Sequence, residues 1–223
     1  MTRYLRLLLV TTCGTSILTN EATQEEGAWI RKVSNHKEVE AERLAAMLKD
    51  RKEKLDRADT PRRRKLSAEF NAIFDVLQHY KPDQIHHLLI HTDTALGQAT
   101  AELVGSMLDS KDLLTAGGLR TDNLTNFREA VAQLTRDLAE RVKRAKDEHW
   151  FVVFNLTGGF KSLSAYLQAL GMIVADECVF RFEGEAQLLV IPRLPLRLDE
   201  IEVAAKYMDV FRRQDGFRET TGG

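Results

Sequence analysis

The sequence predicts an α/β fold, in which a Rossmann-like, mostly parallel sheet is flanked by helices, with a charged helical insertion and a C-terminal helix. Two observations predict this class. Short apolar runs of strand-favouring residues alternate with longer segments whose apolar residues recur every three or four positions. Strands that alternate with helices form a parallel sheet, because each helix carries the chain back to start the next strand in the same direction.

The predicted strands are continuously apolar, as expected for strands buried on both faces. The first, from Leu5 to Thr12, is predicted to be central in the sheet, and Ser16 or Asn20 is expected to cap the next helix. The other predicted strands span 85–91, 113–119, 151–156, 177–182 and 188–192, with the last two forming a hairpin. Amphipathic spacing predicts helices near 66–80, 97–108, 124–142 and 160–174.

A charged insertion interrupts this alternation within a predicted domain that spans residues 1–198. Residues 21–65 are rich in Glu, Lys, Arg and Ala, which predicts long and largely solvated helices with a break at Asp59-Thr60-Pro61. The sparse apolar positions are Val39, Leu44, Met47 and Leu48. Residues 199–223 are predicted to form a short helical tail, which is too small for an effector domain.

Composition narrows the class of partner and the compartment. The formal net charge is −1, so the bulk charge gives no indication of a nucleic-acid binder, although a local basic site is compatible with it. Cys13 and Cys178 lie far apart and match no zinc or redox spacing, which predicts a reducing cytoplasm. No apolar segment is long enough to cross a membrane. We therefore expect no cofactor, no metal and no membrane partner.

Three polar turns follow apolar strands and are predicted to meet at one edge of the sheet. Ligands of open α/β sheets bind outside the carboxyl ends of the strands, near the point where the strand order reverses. The convergence of the three turns is more informative than any one of them. The predicted ligand-binding and catalytic residues are Thr12, Cys13, Gly14, Thr15 and Ser16 in the first turn, Thr92, Asp93 and Thr94 in the second, Thr157, Gly158, Gly159, Phe160, Lys161 and Ser162 in the third, and Asn155 shortly before the third.

The third turn has the clearest chemistry. Adjacent glycines allow the backbone to approach a ligand closely, the N–H groups at a helix start favour an anion, and Lys161 adds a charge for phosphate. Phe160 precedes Lys161, so the Gly-Lys pair of a phosphate-binding P-loop is absent, and the dinucleotide-binding glycine pattern is absent too. The alternative is that Gly158 and Gly159 only permit a tight turn from strand to helix.

Two short patterns carry less weight. Arg31 to His36 and Arg144 to His149 both have an arginine and a histidine separated by four residues, similar to the nuclease motif of HEPN domains. Such a pattern arises easily by chance in a charged chain. His86 and His87 lie within a predicted strand, and without a carboxylate cluster nearby they do not predict a metal site.

Five segments occur in an order that resembles CARF domains, the CRISPR-associated Rossmann-fold domains of type III immunity, and most closely their APE-type subfamily. The resemblance covers about Leu5 to Leu198. Each segment alone is only modest evidence for the family, but the order of the five is specific. The five segments are LLLVTTCGTSILTN, IHTDTALGQATAEL, GLRTDNLTNF, FNLTGGFKSLSAYLQALG and FRFEGEAQLLVIPRLPL.

The resemblance implies a function. CARF domains bind cyclic oligoadenylates, usually as homodimers with the ring across the two-fold axis. Stand-alone members resemble ring nucleases, which cleave the ring without a metal by attack of a ribose 2′-OH and so switch the response off. Within the resemblance Lys161 matches the lysine of the glycine-rich motif, and Ser16 or Thr15 matches the hydroxyl residue of the first turn.

The resemblance leaves alternatives open. The chain could be a sensor that holds the ring without cleaving it and regulates a partner or a further effector domain, with residues 21–65 as the partner surface or a lid. A CARF transcription factor is disfavoured because residues 199–223 are too few for a winged helix, so no DNA partner is expected. Neither the ring size nor the assembly beyond a dimer follows from the sequence, although cyclic tetra-adenylate is the expected ring.

Overall fold

The computed structural model describes residues 5–118, 124–159, 161–181 and 187–193, with the backbone alone described at 124–128, 161 and 162. The predicted tail, residues 199–223, lies outside the described residues. The elements follow in chain order: β1 (Arg6–Thr12), α1 (Ser16–Thr19), α2 (Gln24–Val33), α3 (Ala41–Arg57), α4 (Thr60–Leu66), α5 (Ala68–Tyr80), β2 (Gln84–Thr92), α6 (Ala95–Gly105), β3 (Lys111–Ala116), α7 (Leu124–Asp147), β4 (Phe151–Asn155), α8 (Lys161–Val174), β5 (Glu177–Arg181) and β6 (Leu188–Pro192).

The six described strands form one sheet in the order β3-β2-β1-β4-β5-β6. All neighbouring pairs are parallel except β5 and β6, which form the predicted antiparallel hairpin. The central position of β1 is confirmed, since Val10 lies opposite Leu88 on one side and Phe154 on the other. The strand order reverses between β1 and β4, so the turns that leave these two strands flank the switch point of the sheet.

Helices cover both faces of the sheet, and the alternation of side chains along β1 shows why. Leu8 and Val10 pack with α7 and α8 on one face, in a cluster that includes Leu138 and Leu167. Leu7 and Leu9 point to the other face, where they pack against α5. Strands that are buried on both faces must be apolar at every position, and the runs of Leu and Val in the sequence meet that requirement.

The insertion packs more closely than its composition predicts. Trp29, Ile30 and Val33 of α2 and Met47 and Leu55 of α3 are buried against α5, α6 and Leu89 of β2. The expectation of largely solvated helices is therefore wrong for their inner faces. Most of the charge that dominates the composition lies on the outer faces of these helices.

A charged residue also lies inside this packing. Arg51 of α3 is only 3% exposed, forms an ion pair with Glu26 at 3.2 Å and reaches the Leu18 carbonyl oxygen at 3.4 Å. Burial of a guanidinium group is tolerated only when such partners are present. Arg51 therefore joins α3 to α1 and α2.

The predicted caps of the first helices are not observed. Thr15, rather than Ser16 or Asn20, precedes α1 and makes no side-chain cap hydrogen bond, while Asn20 follows the helix end. Thr23 caps α2 in a reciprocal arrangement with Glu26. The predicted break before α4 is confirmed, with Asp59 as the cap and Pro61 in the first turn. No helix in the described ranges is long and apolar enough to span a membrane.

His87 provides a test of this packing through pH. It lies in β2 at 3% exposure, and no described residue bonds its Nδ1. Burial, assisted by His86 and opposed by Asp109, lowers the pKa of His87 to about 4. The unfolded chain takes up this proton near pH 6.5, so between these values the unfolded state holds more protons and stability falls as the pH falls.

We expect His87→Leu to weaken this pH dependence. The free energy of unfolding would be measured with urea at pH 7 and at pH 4.5. Its decrease between these two pH values should be about 2–3 kcal/mol smaller in the variant than in the wild type. An equal fall in both proteins would contradict the assignment of His87 as a buried neutral group.

Candidate functional site

The three predicted turns meet at the carboxyl edge of the sheet, because β2, β1 and β4 are adjacent. We call the residues 12–16, 92–94 and 157–162 the first, second and third turns. Their side chains are not equally accessible. Thr12, Cys13, Thr92, Thr94 and Asn155 are all at most 6% exposed, so they build the edge from within. Gly14, Thr15, Ser16, Asp93, Thr157 and Gly158 are partly buried, and Gly159 is exposed.

The first and third turns are in direct contact. The Thr12 hydroxyl donates a hydrogen bond to the Gly158 carbonyl oxygen at 2.5 Å. A Cβ atom added to Gly14 would lie 3.2 Å from the Gly159 nitrogen, and one added to Gly158 would lie 3.0 Å from the Thr12 carbonyl oxygen. The two backbones approach so closely that glycine is required at the contact.

A buried carboxylate lies beneath this contact. Glu69, in the first turn of α5, is 1% exposed. Its Oε1 accepts the Gly14 N–H at 2.9 Å, and its Oε2 accepts the Ser67 hydroxyl at 2.7 Å and the Ser16 hydroxyl. The same Oε1 atom would lie 2.9 Å from a Cβ atom on Gly158. Glu69 therefore touches the first turn by hydrogen bonds and the third turn by packing.

Ser16 and Cys13 are both affected by this carboxylate. The Ser16 oxygen also accepts the Ala68 N–H at 3.0 Å, so its proton and one of its lone pairs are engaged. Burial and the negative charge of Glu69 raise the pKa of the Cys13 thiol well above its usual range. Cys13 therefore remains a thiol and is not an activated nucleophile.

The second turn is held by its threonines and by the insertion. Thr94 caps α6 by accepting the Gly97 N–H at 3.1 Å, and its hydroxyl lies 2.9 Å from that of Thr92. Asp93 forms an ion pair with Lys37 of the insertion at 2.6 Å. Burial opposes ionisation of Asp93, but Lys37 and the Gly118 N–H outweigh it and lower the pKa of this carboxyl.

The third turn is braced on β5. Asn155 Oδ1 accepts the Thr157 hydroxyl at 2.8 Å, and the Thr157 oxygen accepts the Arg181 N–H at 3.0 Å. Gly159 has a φ of +89°, which an L side chain rarely adopts. Lys161, within this turn, is the first residue of α8. Phe160 and the side chains of Lys161 and Ser162 lie outside the described residues, so their predicted roles stay predictions.

An open groove borders the second turn. It has a volume of about 500 Å³ and lies between Gly117 and Gly118 after β3 and Gln133 and Arg136 of α7. Arg136 is exposed and donates a hydrogen bond to Gln133, and Glu129 also lines the groove, so residues of both charges lie there.

Sequence patterns did not identify two residues of this site, Glu69 and Lys37. Glu69 lies between the cap Ser67 and the buried Phe70, on the apolar face of α5. A carboxylate among apolar positions was the one sequence signal that could have indicated a buried functional residue. Lys37 lies in a charged stretch where nothing distinguishes it from its neighbours.

The other candidate patterns are not supported by the geometry. In the described ranges, no group of three or more His, Cys, Asp or Glu side chains is arranged to hold a metal. His86 belongs to the opposite edge of the sheet, where it contacts Asp112, which also pairs with Arg141. His149 lies just after the end of α7 in a left-handed conformation, with a φ of +63°.

The fold is an open α/β sheet whose strand order reverses between β1 and β4, the point near which sheets of this kind bind ligands at their carboxyl edge. Comparison with known protein families then shows which family the chain belongs to. Residues 64–194, more than half of the chain, match the family described as CRISPR-associated protein (Cas_APE2256), and the chain belongs to this family. The match includes Glu69 and the second and third turns, whereas the first turn precedes it. The CRISPR association predicted from the sequence is thus confirmed.

Gly159→Ala tests the backbone of the site. The added Cβ would lie 3.1 Å from the Thr12 Cβ in a conformation that disfavours L residues, so we expect a loss of about 1–2 kcal/mol in the free energy of unfolding. Gly117→Ala is the matched control, because nothing lies within 4 Å of its added Cβ, and it should change stability by less than about 0.5 kcal/mol. Equal stability of the two variants in urea unfolding would contradict the assigned strain.

Proposed function

We propose that this protein binds a cyclic oligoadenylate, of which cyclic tetra-adenylate is the expected ring, and cleaves it as a metal-independent ring nuclease. The observation that carries the proposal is the meeting of the three turns at the switch point of the sheet. Membership of a CRISPR-associated family supports it, and so does the resemblance of the turn sequences to CARF domains.

The site offers the contacts that a ribose-phosphate ring needs. Gly159 is exposed, and helix α8 starts two residues beyond it, so N–H groups are available to phosphate oxygens. Thr15 is partly exposed and its hydroxyl makes no cap hydrogen bond, which leaves it for a ribose or phosphate oxygen. Lys37 neutralises Asp93, so the second turn does not present a bare carboxylate to a polyanion.

Cleavage requires no group beyond the ring, the protein and water. The ribose 2′-OH releases its proton to solvent and its oxygen bonds to the adjacent phosphorus, while the bond from phosphorus to the 5′-oxygen breaks and that oxygen takes a proton from water. The products are a 2′,3′-cyclic phosphate end and a 5′-hydroxyl. A site that holds the attacking and leaving oxygens in line lowers the barrier by orientation alone. In the proposed mechanism Lys161 and the N–H groups of residues 159 and 160 stabilise the charge that develops on the phosphate.

A homodimer suits this ligand. A ring of four identical nucleotides has matching halves, so it fits two copies of one surface related by a two-fold axis. Two copies of Lys161 would then meet one ring, which provides local positive charge in a chain whose net charge is −1.

One assay tests the proposal directly. Labelled cyclic tetra-adenylate is incubated with the protein in EDTA and the products are resolved. Linear di-adenylate with a cyclic phosphate end is the expected result. An intact but bound ring would instead indicate a sensor that does not cleave, and absence of binding would refute the whole proposal.

Lys161→Ala should reduce the cleavage rate of the bound ring by about 10²–10³-fold, because a positioned donor is lost from the developing charge. The measurement is single-turnover cleavage at saturating protein. Lys143→Ala, which removes an exposed lysine from α7, is the control and should cleave at the wild-type rate. If Lys161→Ala folds, binds the ring and cleaves it normally, the role of Lys161 is wrong.

Lys37→Ala should weaken ring binding by about two- to fivefold, since an exposed ion pair contributes up to about 1 kcal/mol. The loss arises because Asp93 is then an unpaired negative charge beside the ligand. Asp93→Asn in the same chain should restore the affinity, measured by isothermal titration at low salt. Failure of this second change to restore binding would show that Lys37 acts in another way.

A further inference from the structure

Glu69 is an unusual residue to find beneath the contact between the first and third turns. It is 1% exposed, and no Lys or Arg in the part of the chain that the structure describes forms an ion pair with it. Removing a carboxylate from water is costly unless hydrogen bonds replace the lost hydration. The donors that replace it come from Gly14, Ser16 and Ser67, so two of the three belong to the first turn.

A purely structural role would not require a carboxylate. The amide oxygen of a glutamine accepts a backbone N–H equally well and is less costly to bury. A carboxylate differs because, when ionised, it only accepts hydrogen bonds. It therefore fixes the direction of the Ser16 hydroxyl, whose proton must point at Glu69 Oε2.

The direction of that proton determines what Ser16 offers to a ligand. The oxygen of a hydroxyl has two lone pairs, and the Ala68 N–H occupies one of them at 3.0 Å. One lone pair remains on a side chain that is only partly buried. Ser16 is thus prepared to accept a hydrogen bond from a ligand and not to donate one.

We propose that Glu69 is a positioning residue for ring cleavage, because it makes Ser16 the group that accepts the proton of the attacking 2′-OH. This inference rests on the proposed function. The proton of the attacking 2′-OH passes to Ser16 Oγ while the Ser16 proton passes to Glu69 Oε2. The 2′-oxygen bonds to phosphorus, the bond to the 5′-oxygen breaks, and that oxygen takes a proton from water. Glu69 then returns its proton to solvent through Ser16.

The location of Glu69 fits this role. Its Oε1 faces Gly158 of the third turn and its Oε2 faces Ser16 of the first, so the carboxylate spans the junction where the proposed phosphate contacts begin. The junction is closed to bulk water on the side of α5. A hydroxyl between a buried carboxylate and a substrate O–H transfers a proton with little movement of heavy atoms.

The test uses Glu69→Gln, Ser16→Ala and a matched control in the full chain. Glu53→Gln makes the same chemical change at an exposed position of α3, remote from the first turn in the chain. For each protein we would measure the affinity for cyclic tetra-adenylate, the single-turnover cleavage rate, and the midpoint of thermal unfolding.

We expect Glu69→Gln to bind the ring within about threefold of wild type but to cleave it at least about 10²-fold more slowly. Ser16→Ala should lose a similar factor, and the double variant should lose no more than either single one, because the two residues act as a unit. Glu53→Gln should match the wild type throughout.

The possible failures are distinguishable. A wild-type chain that does not cleave refutes the proposed nuclease and this inference together. A wild type that cleaves, with Glu69→Gln cleaving equally fast, refutes only the role of Glu69. If Glu69→Gln does not fold, Ser16→Ala decides the matter, since full activity without the Ser16 hydroxyl would exclude the relay.

Discussion

The site depends on one interaction, the acceptance of the Gly14 N–H and the Ser16 hydroxyl by the buried carboxylate of Glu69. It connects the end of β1 with the start of α5, two elements that are more than fifty residues apart in the chain. The carboxylate also packs on Gly158, so the junction between the first and third turns forms around it. The start of α5 favours a negative charge, because the N–H groups of the first helical turn carry partial positive charge.

Local patterns were enough to predict the sheet and its edge. Buried parallel strands must be apolar throughout and helices must return the chain, so β1, β2, β4 and the β5–β6 hairpin could be recognised from short segments. The turns after parallel strands necessarily share an edge. For that reason the meeting of Thr12, Asp93 and Gly158 at one side of the sheet followed from the predicted order of elements.

Contacts between distant segments could not be predicted in this way. Lys37 and Asp93 are 56 positions apart, and nothing in the composition of the insertion marks one lysine among many. The same limit applies to Glu69, whose local sequence is that of an ordinary capped helix. The inner faces of α2 and α3 were missed because charged residues outnumber apolar ones, and a helix needs only a narrow apolar stripe to pack.

This packing has a consequence for how the chain can vary. Removing residues 21–65 would uncover Phe70, Leu89 and Leu96, which together form part of one apolar face now covered by the insertion. Exposed patches of a few hundred Å² or more promote self-association. The insertion therefore shields this face, and changes in length should be tolerated in its connecting loops and not in its helices.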